Sequence, residues 1–149
     1  MKMQGYFDDK FEPPAPFIRA VVISRSLGVE QAVDLHIDAG AATSILLDKD
    51  ARRLGIDAKK LKFAERSLVG IGGPVKTHVI DDAALVFRSE EGQGVTERLR
   101  LFVGIHDLDT LPPKQREIML RLPSLLGRDI IYRAKFVLDK GRDEVYLER

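Results

Sequence analysis

The chain has no cysteine in its 149 residues. That excludes disulfides, thiolate nucleophiles and zinc–thiolate sites, and it is compatible with either redox compartment. It also lacks an excess of either charge: 24 Lys and Arg stand against 23 Asp and Glu. The basic residues are scattered, so nothing favours nucleic acid or an anionic membrane as partner. No stretch approaches the roughly 18 apolar residues of a membrane-spanning helix. The opening MKMQGYFDDK carries acidic residues where a secretory leader has its apolar run. These absences lead to the expectation of a soluble cytoplasmic protein. What remains is a composition 44% hydrophobic and 32% charged, typical of a globular chain and of a length for one domain.

Residues 1–16 end in FEPPAP. Proline removes backbone donors and holds its predecessor extended, so this segment reads as an N-terminal arm ahead of a domain over 17–149. FIRAVVIS (17–24) and QAVDLHID (31–38) read as strands around a turn at Ser26-Leu27-Gly28. In the second, Val33, Leu35 and Ile37 alternate with Asp34, His36 and Asp38, which puts the three polar side chains on one face. SILL (44–47) continues as strand, and Asp48 is expected to cap a short helix that Gly55 stops. ALVFRS (84–89) and VTERLRLFVGI (95–105) flank a hairpin signal at Glu91-Gly92-Gln93-Gly94. Residues 106–121 read as a loop with one helical turn after Pro113. LPSLLGRDIIYRA (122–134) runs from strand through Gly127 into a helix that Asp129 is expected to cap, and KFVLD (135–139) with EVYLE (144–148) forms a closing hairpin. There is no repeat and no low-complexity tract. The expected architecture is mostly β, a closed or nearly closed barrel.

Three pieces stand out by content and order. HIDAGA (36–41) sets an aspartate at the end of an alternating strand, followed by small residues. LVGIGGPVK (68–76) is a glycine-tipped hairpin about 30 residues on. LLGRDII (125–131) puts an apolar pair and a glycine before a helix. Together they resemble the retropepsin family, the dimeric aspartic proteases of retroviruses and their cellular and bacterial relatives. Ile37-Asp38-Ala39-Gly40-Ala41 occupies the active-site signature, Gly70-Ile71-Gly72-Gly73 the flap tip, and Leu125-Leu126-Gly127-Arg128-Asp129 the late motif.

The resemblance implies a closed retropepsin-like acid protease barrel with a flap hairpin and one or two short helices. It implies an aspartic endopeptidase with Asp38, Ala39 and Gly40 as its catalytic element. Substrate would lie against His36, Ala41, Ala42, Gly70, Ile71 and Gly72. Two carboxylates a few Å apart share one proton; the ionised one activates water and the protonated one polarises the carbonyl. With one Asp-x-Gly-Ala per chain, the second carboxylate comes only by symmetry, so the partner expected is a second copy in a C2 homodimer, and the substrate a peptide or protein. The resemblance also implies that terminal strands help build the dimer sheet, with Tyr146 and Leu147 as candidates. No cofactor or metal is expected; His78 and His106 are far apart in sequence and lack a third ligand.

Two positions depart from the family pattern. Ala39 stands where relatives carry a threonine or serine hydroxyl that crosses the two-fold axis, and Ala42 where viral enzymes carry a substrate-binding aspartate that pairs with the late arginine. Arg128 is therefore expected to find another partner, either Asp34 or the other subunit. The first departure keeps a second reading in view, a catalytically silent retropepsin-fold module that binds extended peptides or serves assembly. A third, an unrelated small β-barrel that binds a small ligand, would have no symmetric Asp38 pair. For His36, a satisfied half-buried imidazole and a wall of a side-chain pocket are the two alternatives.

Overall fold

The computed structural model describes residues 1–64 and 76–149. The expected flap tip, Gly70-Ile71-Gly72, lies outside the described residues. Among them, six strands close into a ring: β3 (Ala15–Ser24), β4 (Val29–Ile37), β9 (Leu125–Leu126), β5 (Ile45–Leu46), β8 (Gly94–Ile105) and β7 (Lys76–Arg88), which returns to β3. The β4–β9 and β5–β8 pairings are parallel and the others antiparallel, so the barrel is mixed. The fold is mostly β with a few short helices, as expected.

Alternation explains the closure. In β4, Val33, Leu35 and Ile37 are buried while Asp34 and His36 are only partly so. In β3, Ile18, Ala20 and Val22 meet them from the neighbouring strand, and Leu85, Phe87, Leu101, Val103 and Leu126 complete the interior. A bulge between Ile80 and Ala83 breaks the register of β7 against β8. Such an irregularity bends a strand and increases its twist. It separates the first half of β7, which pairs with β6 (Lys62–Phe63), from Ala84–Val86, which close the barrel against Val21–Ile23 of β3.

Residues 2–8 differ from the expectation of an arm outside the core. β1 (Lys2–Gln4) pairs with β11 (Glu144–Glu148), and β2 (Tyr6–Asp8) pairs with β3. Met3 is 2% exposed within the main core. Each strand has three residues, too few to display alternation, and each gains its partner from elsewhere in the chain. Met3→Ala should therefore lower stability by roughly 2–5 kcal/mol, the range for truncating a buried apolar side chain; urea unfolding reads this directly, and a loss under about 0.5 kcal/mol would place Met3 outside the core.

β11 is the middle of a three-stranded sheet, β1-β11-β10, with β10 spanning Lys135–Asp139. Tyr146 stands between Gln4 and Val137, and Leu147 between Met3 and Phe136. Both edges of β11 are filled from its own chain and Leu147 is 1% exposed. Tyr146 and Leu147 therefore belong to the chain's own sheet, and neither offers a free strand edge to a second copy.

Among the described residues there are also three short α-helices: α1 (Asp48–Arg53), α2 (Pro113–Met119) and α3 (Arg128–Ile131). Gly55, at φ +68°, follows α1 in the left-handed conformation that suits its stop. Asp48 is not the cap; it is the first helical residue, and its buried carboxylate accepts the His106 backbone N–H at 2.9 Å and pairs with the His106 ring. Segment 106–121 is more ordered than expected, with a 3-10 turn at Leu108–Thr110 and a seven-residue α2 that starts on Pro113, where a missing N–H costs nothing.

Candidate active site

Asp38 follows the last residue of β4, at the point where that strand runs beside β9. The parallel pair is pinned by His36 N–H to the Ser124 carbonyl at 2.9 Å and Asp38 N–H to the Leu126 carbonyl at 3.0 Å. Beyond Asp38 the chain turns sharply. The Ala41 N–H donates to the Asp38 carbonyl at 3.1 Å, and the Gly40 N–H to Asp38 Oδ1 at 2.9 Å, an Asx-type turn that fixes the carboxylate by its own backbone. A Cβ at Gly40 would sit 3.0 Å from that oxygen. Glycine lets the carboxylate lie over the turn without pressing on a side chain.

The late motif holds the other side of this loop. Arg128 N–H donates to the Ala41 carbonyl at 2.9 Å, and the Arg128 guanidinium donates to the Ala39 carbonyl at 2.9 Å. That backbone oxygen is the partner Arg128 finds within its own chain, in place of Asp34, which is paired with Arg19 at 3.0 Å. Asp129 corrects the expectation of a helix cap as well. Gly127 takes the N-cap position with no side-chain bond, while the Asp129 carboxylate accepts Ser44 N–H at 3.0 Å and Ser44 Oγ–H at 2.7 Å. Ser44 Oγ in turn accepts the Gly127 N–H at 3.0 Å. Ser44 is fully buried. The sequence reasoning missed it, since a serine six residues after the aspartate carries no periodic or motif signal.

The candidate residues gather unevenly. Ala39, Gly40 and Ala42 are exposed at the loop, Ala41 is partly buried and Asp38 remains accessible. Among the described residues no second carboxylate hydrogen-bonds Asp38, and no group of three or more His, Asp or Glu could hold a metal. His36 is partly buried on the Asp38 face, its ring 5.3 Å from that of Phe17 and 6.4 Å from that of Phe11. Phe11 and Phe17 line a cleft of about 960 Å³ together with Tyr6, Asp34, Lys49 and Pro123. His36 therefore reaches this cleft through two aromatic rings.

Burial pushes the His36 pKa below its ordinary value, and the Asp38 charge works the other way. Its folded pKa lies below that of the unfolded chain, so its contribution to stability is complete above about pH 6.5 and is lost as pH falls through the folded value. His36→Gln should therefore flatten the fall of stability on the acid side of pH 6.5, followed by thermal unfolding from pH 7.5 to 5; an unchanged slope would leave His36 out of that fall. For Asp34, burial opposes the charge, but hydrogen bonds from Arg19 and Tyr6 outweigh it and hold its carboxyl below the usual carboxylate range.

Known structures share this architecture. A crystal structure of a retropepsin-like aspartic protease from Rickettsia conorii matches 99% of this chain and 88% of its own, at TM-score 0.53 and 21% identity. The EIAV protease, complexed with the inhibitor HBY-793, matches 83% of this chain and 93% of its own, at TM-score 0.50 and 21% identity. No family model matches the chain, and neither does any curated protein. The likenesses establish the fold: the chain is built as a retropepsin-like aspartic protease barrel, over most of its length.

Proposed function

We propose that the chain is an aspartic endopeptidase that works as a homodimer, with water activated between two Asp38 carboxylates. The observation that carries this is the Asp38 loop: an accessible carboxylate at a strand end in a retropepsin-like barrel, clamped from behind by Arg128, Asp129 and Ser44. A clamp of this kind holds a reacting group in place without contributing to the chemistry itself.

The chemistry follows from sharing one proton between the pair. The ionised carboxylate takes a proton from water as the water oxygen bonds to the scissile carbonyl carbon. The protonated partner gives its proton to the carbonyl oxygen, leaving a neutral tetrahedral diol. In collapse the carboxylate that is now ionised takes a proton from one diol hydroxyl as the carbonyl re-forms, while its protonated partner gives its proton to the leaving nitrogen as the C–N bond breaks, so the pair again shares one proton. The two steps need no metal and no covalent intermediate.

Ala39 favours a second reading. Its methyl group offers no hydroxyl to cross a two-fold axis, and its carbonyl accepts from Arg128 of its own chain. Without that crossing, the cleft could bind an extended peptide and leave it intact. Incubation with an unstructured protein and mass spectrometry of the products separates the two. Cleavage blocked by a statine-type inhibitor is the expected result; saturable peptide binding with no new termini would establish the silent module instead.

A further inference from the structure

The cleft beside His36 carries six charged side chains, and pairing answers most of their charge. Asp34 is held by Arg19 at 3.0 Å, and Arg121 is engaged by Glu117. Asp8, Asp9 and Lys10 share one turn after β2, where the Asp8 carboxylate accepts the Lys10 backbone N–H at 2.9 Å. Lys49 is left over. It is exposed, and it forms no ion pair or side-chain hydrogen bond among the described residues.

Lys49 also lines a second hollow of about 530 Å³, which shares Asp34 with the first. There Asp34 answers Arg19, Asp50 answers Arg53 at 3.3 Å, and Lys49 again has no counterpart. Its neighbours in α1 are committed inward. Asp48 is buried against His106, and Asp50 accepts the Ser124 Oγ–H at 2.6 Å. A cation in the first turn of a helix works against the backbone dipole, so α1 gains nothing from this charge.

Asp34, His36 and Asp38 lie on one face at two-residue steps. At about 3.3 Å per residue, Asp34 is about 13 Å from Asp38 along the strand. Aromatic rings wall the interval: His36 lies 5.3 Å from Phe17, and Phe17 lies 5.9 Å from Tyr6 and 5.5 Å from Phe11. A peptide extended along this wall covers the same distance in about four residues. Its apolar side chains meet the rings, and its far end reaches the stretch of wall that Asp34 and Lys49 share.

We propose that Lys49 determines specificity, by pairing with an acidic side chain of the substrate about four residues from the scissile bond. The inference rests on the protease reading of the Asp38 site and adds a substrate class to it: peptides with an apolar segment at the bond and an aspartate or glutamate at its flank. Asp34 does not oppose such a side chain strongly, because its own charge is met by Arg19 and by the Tyr6 hydroxyl. In a symmetric dimer the two clefts serve both sides of the bond alike. Complementary charges of this kind select among partners more than they add raw affinity.

The test uses peptides with one apolar centre and a single Glu, Gln or Lys placed two to six positions from the scissile bond on either side. Initial cleavage rates should favour Glu over Lys by about threefold to tenfold near the fourth position, chiefly through KM, and the preference should shrink at high salt. Lys49→Glu should reverse the preference, while Lys59→Glu, the same charge change outside the cleft, should leave it alone. Fluorescence anisotropy of the same peptides, labelled, on Asp38→Asn gives a readout that needs no cleavage. A preference that Lys49→Glu leaves unchanged, or no Glu preference in either assay, overturns the role of Lys49 even if Asp38-dependent cleavage persists. Glu-selective binding that depends on Lys49, in a protein whose parent cleaves nothing, upholds the role of Lys49 and removes the protease reading.

Discussion

Asp38→Asn should abolish peptide cleavage and leave the fold and its stability close to those of the parent. The amide is nearly isosteric with the carboxylate, and its Oδ1 can still accept the Gly40 N–H, so the turn at 38–41 keeps its shape. What is lost is the base. An amide takes no proton from water at neutral pH, and in a symmetric pair both members are lost at once. General acid–base catalysis by a positioned group is worth about 10²–10⁴-fold. Loss of the acid and the base together should reduce cleavage to background. The measurement is turnover of a peptide identified as a substrate of the parent, at matched dimer concentration, with thermal unfolding of both proteins alongside. Undiminished turnover by Asp38→Asn would move the chemistry elsewhere in the chain.

Gly127→Ala should have the largest effect on stability of any single-methyl change near the site. A Cβ there would lie 2.5 Å from the Thr43 carbonyl carbon, 2.6 Å from its oxygen and 2.9 Å from the Ser44 nitrogen. All three are backbone atoms, so no flexible side chain can swing aside. Relief requires β9 and the Asp38 loop to separate, which would break the Gly127–Ser44 hydrogen bond and loosen Ser44 against Asp129. Overpacking alone costs about 1–3 kcal/mol. Each buried polar group left unpaired adds about 1–3 kcal/mol. A loss of at least roughly 3 kcal/mol in urea unfolding is expected, with cleavage reduced in whatever fraction still folds. Gly141→Ala is the control. Its Cβ would meet only the Asp139 carboxylate, at 3.3 Å, and it should shift stability by no more than about 0.5 kcal/mol. Equal losses from the two substitutions would mean that the close approach at Gly127 has little weight.

The parts of the fold that were legible in the sequence are those whose signal is local. β3 and β4 alternate over enough residues to declare their buried faces, and Gly28 between them and Gly92 between β7 and β8 mark turns with positive φ. The β10–β11 hairpin is announced by two short apolar runs around Gly141. The Asp38 loop and the Leu125–Arg128 element were legible as motifs in order, and the structure brings them into direct contact through Leu126, Arg128 and Ala41.

What was not legible depends on distant partners. β1 and β2 are strands because residues 144–148 and 15–17 supply ladders for them, not because KMQ or YFD favours extension. Asp48 and Asp129 both have the form of helix caps, and each is instead drawn to a donor 58 or 85 residues away in sequence. Local capping rules read only the short-range alternative, which is the weaker one wherever a buried donor needs an acceptor. Likewise, no feature of EVYLE tells that β1 will occupy the second edge of β11.

The most direct measurement of the central claim, that one site is made by two Asp38 carboxylates, is the stoichiometry of a statine-type inhibitor in isothermal titration calorimetry. Such an inhibitor places one hydroxyl between both carboxylates, in the position of the tetrahedral diol. Two chains sharing one site predict one inhibitor bound per two chains, with binding lost in Asp38→Asn. One inhibitor per chain, or binding that survives Asp38→Asn, would contradict it.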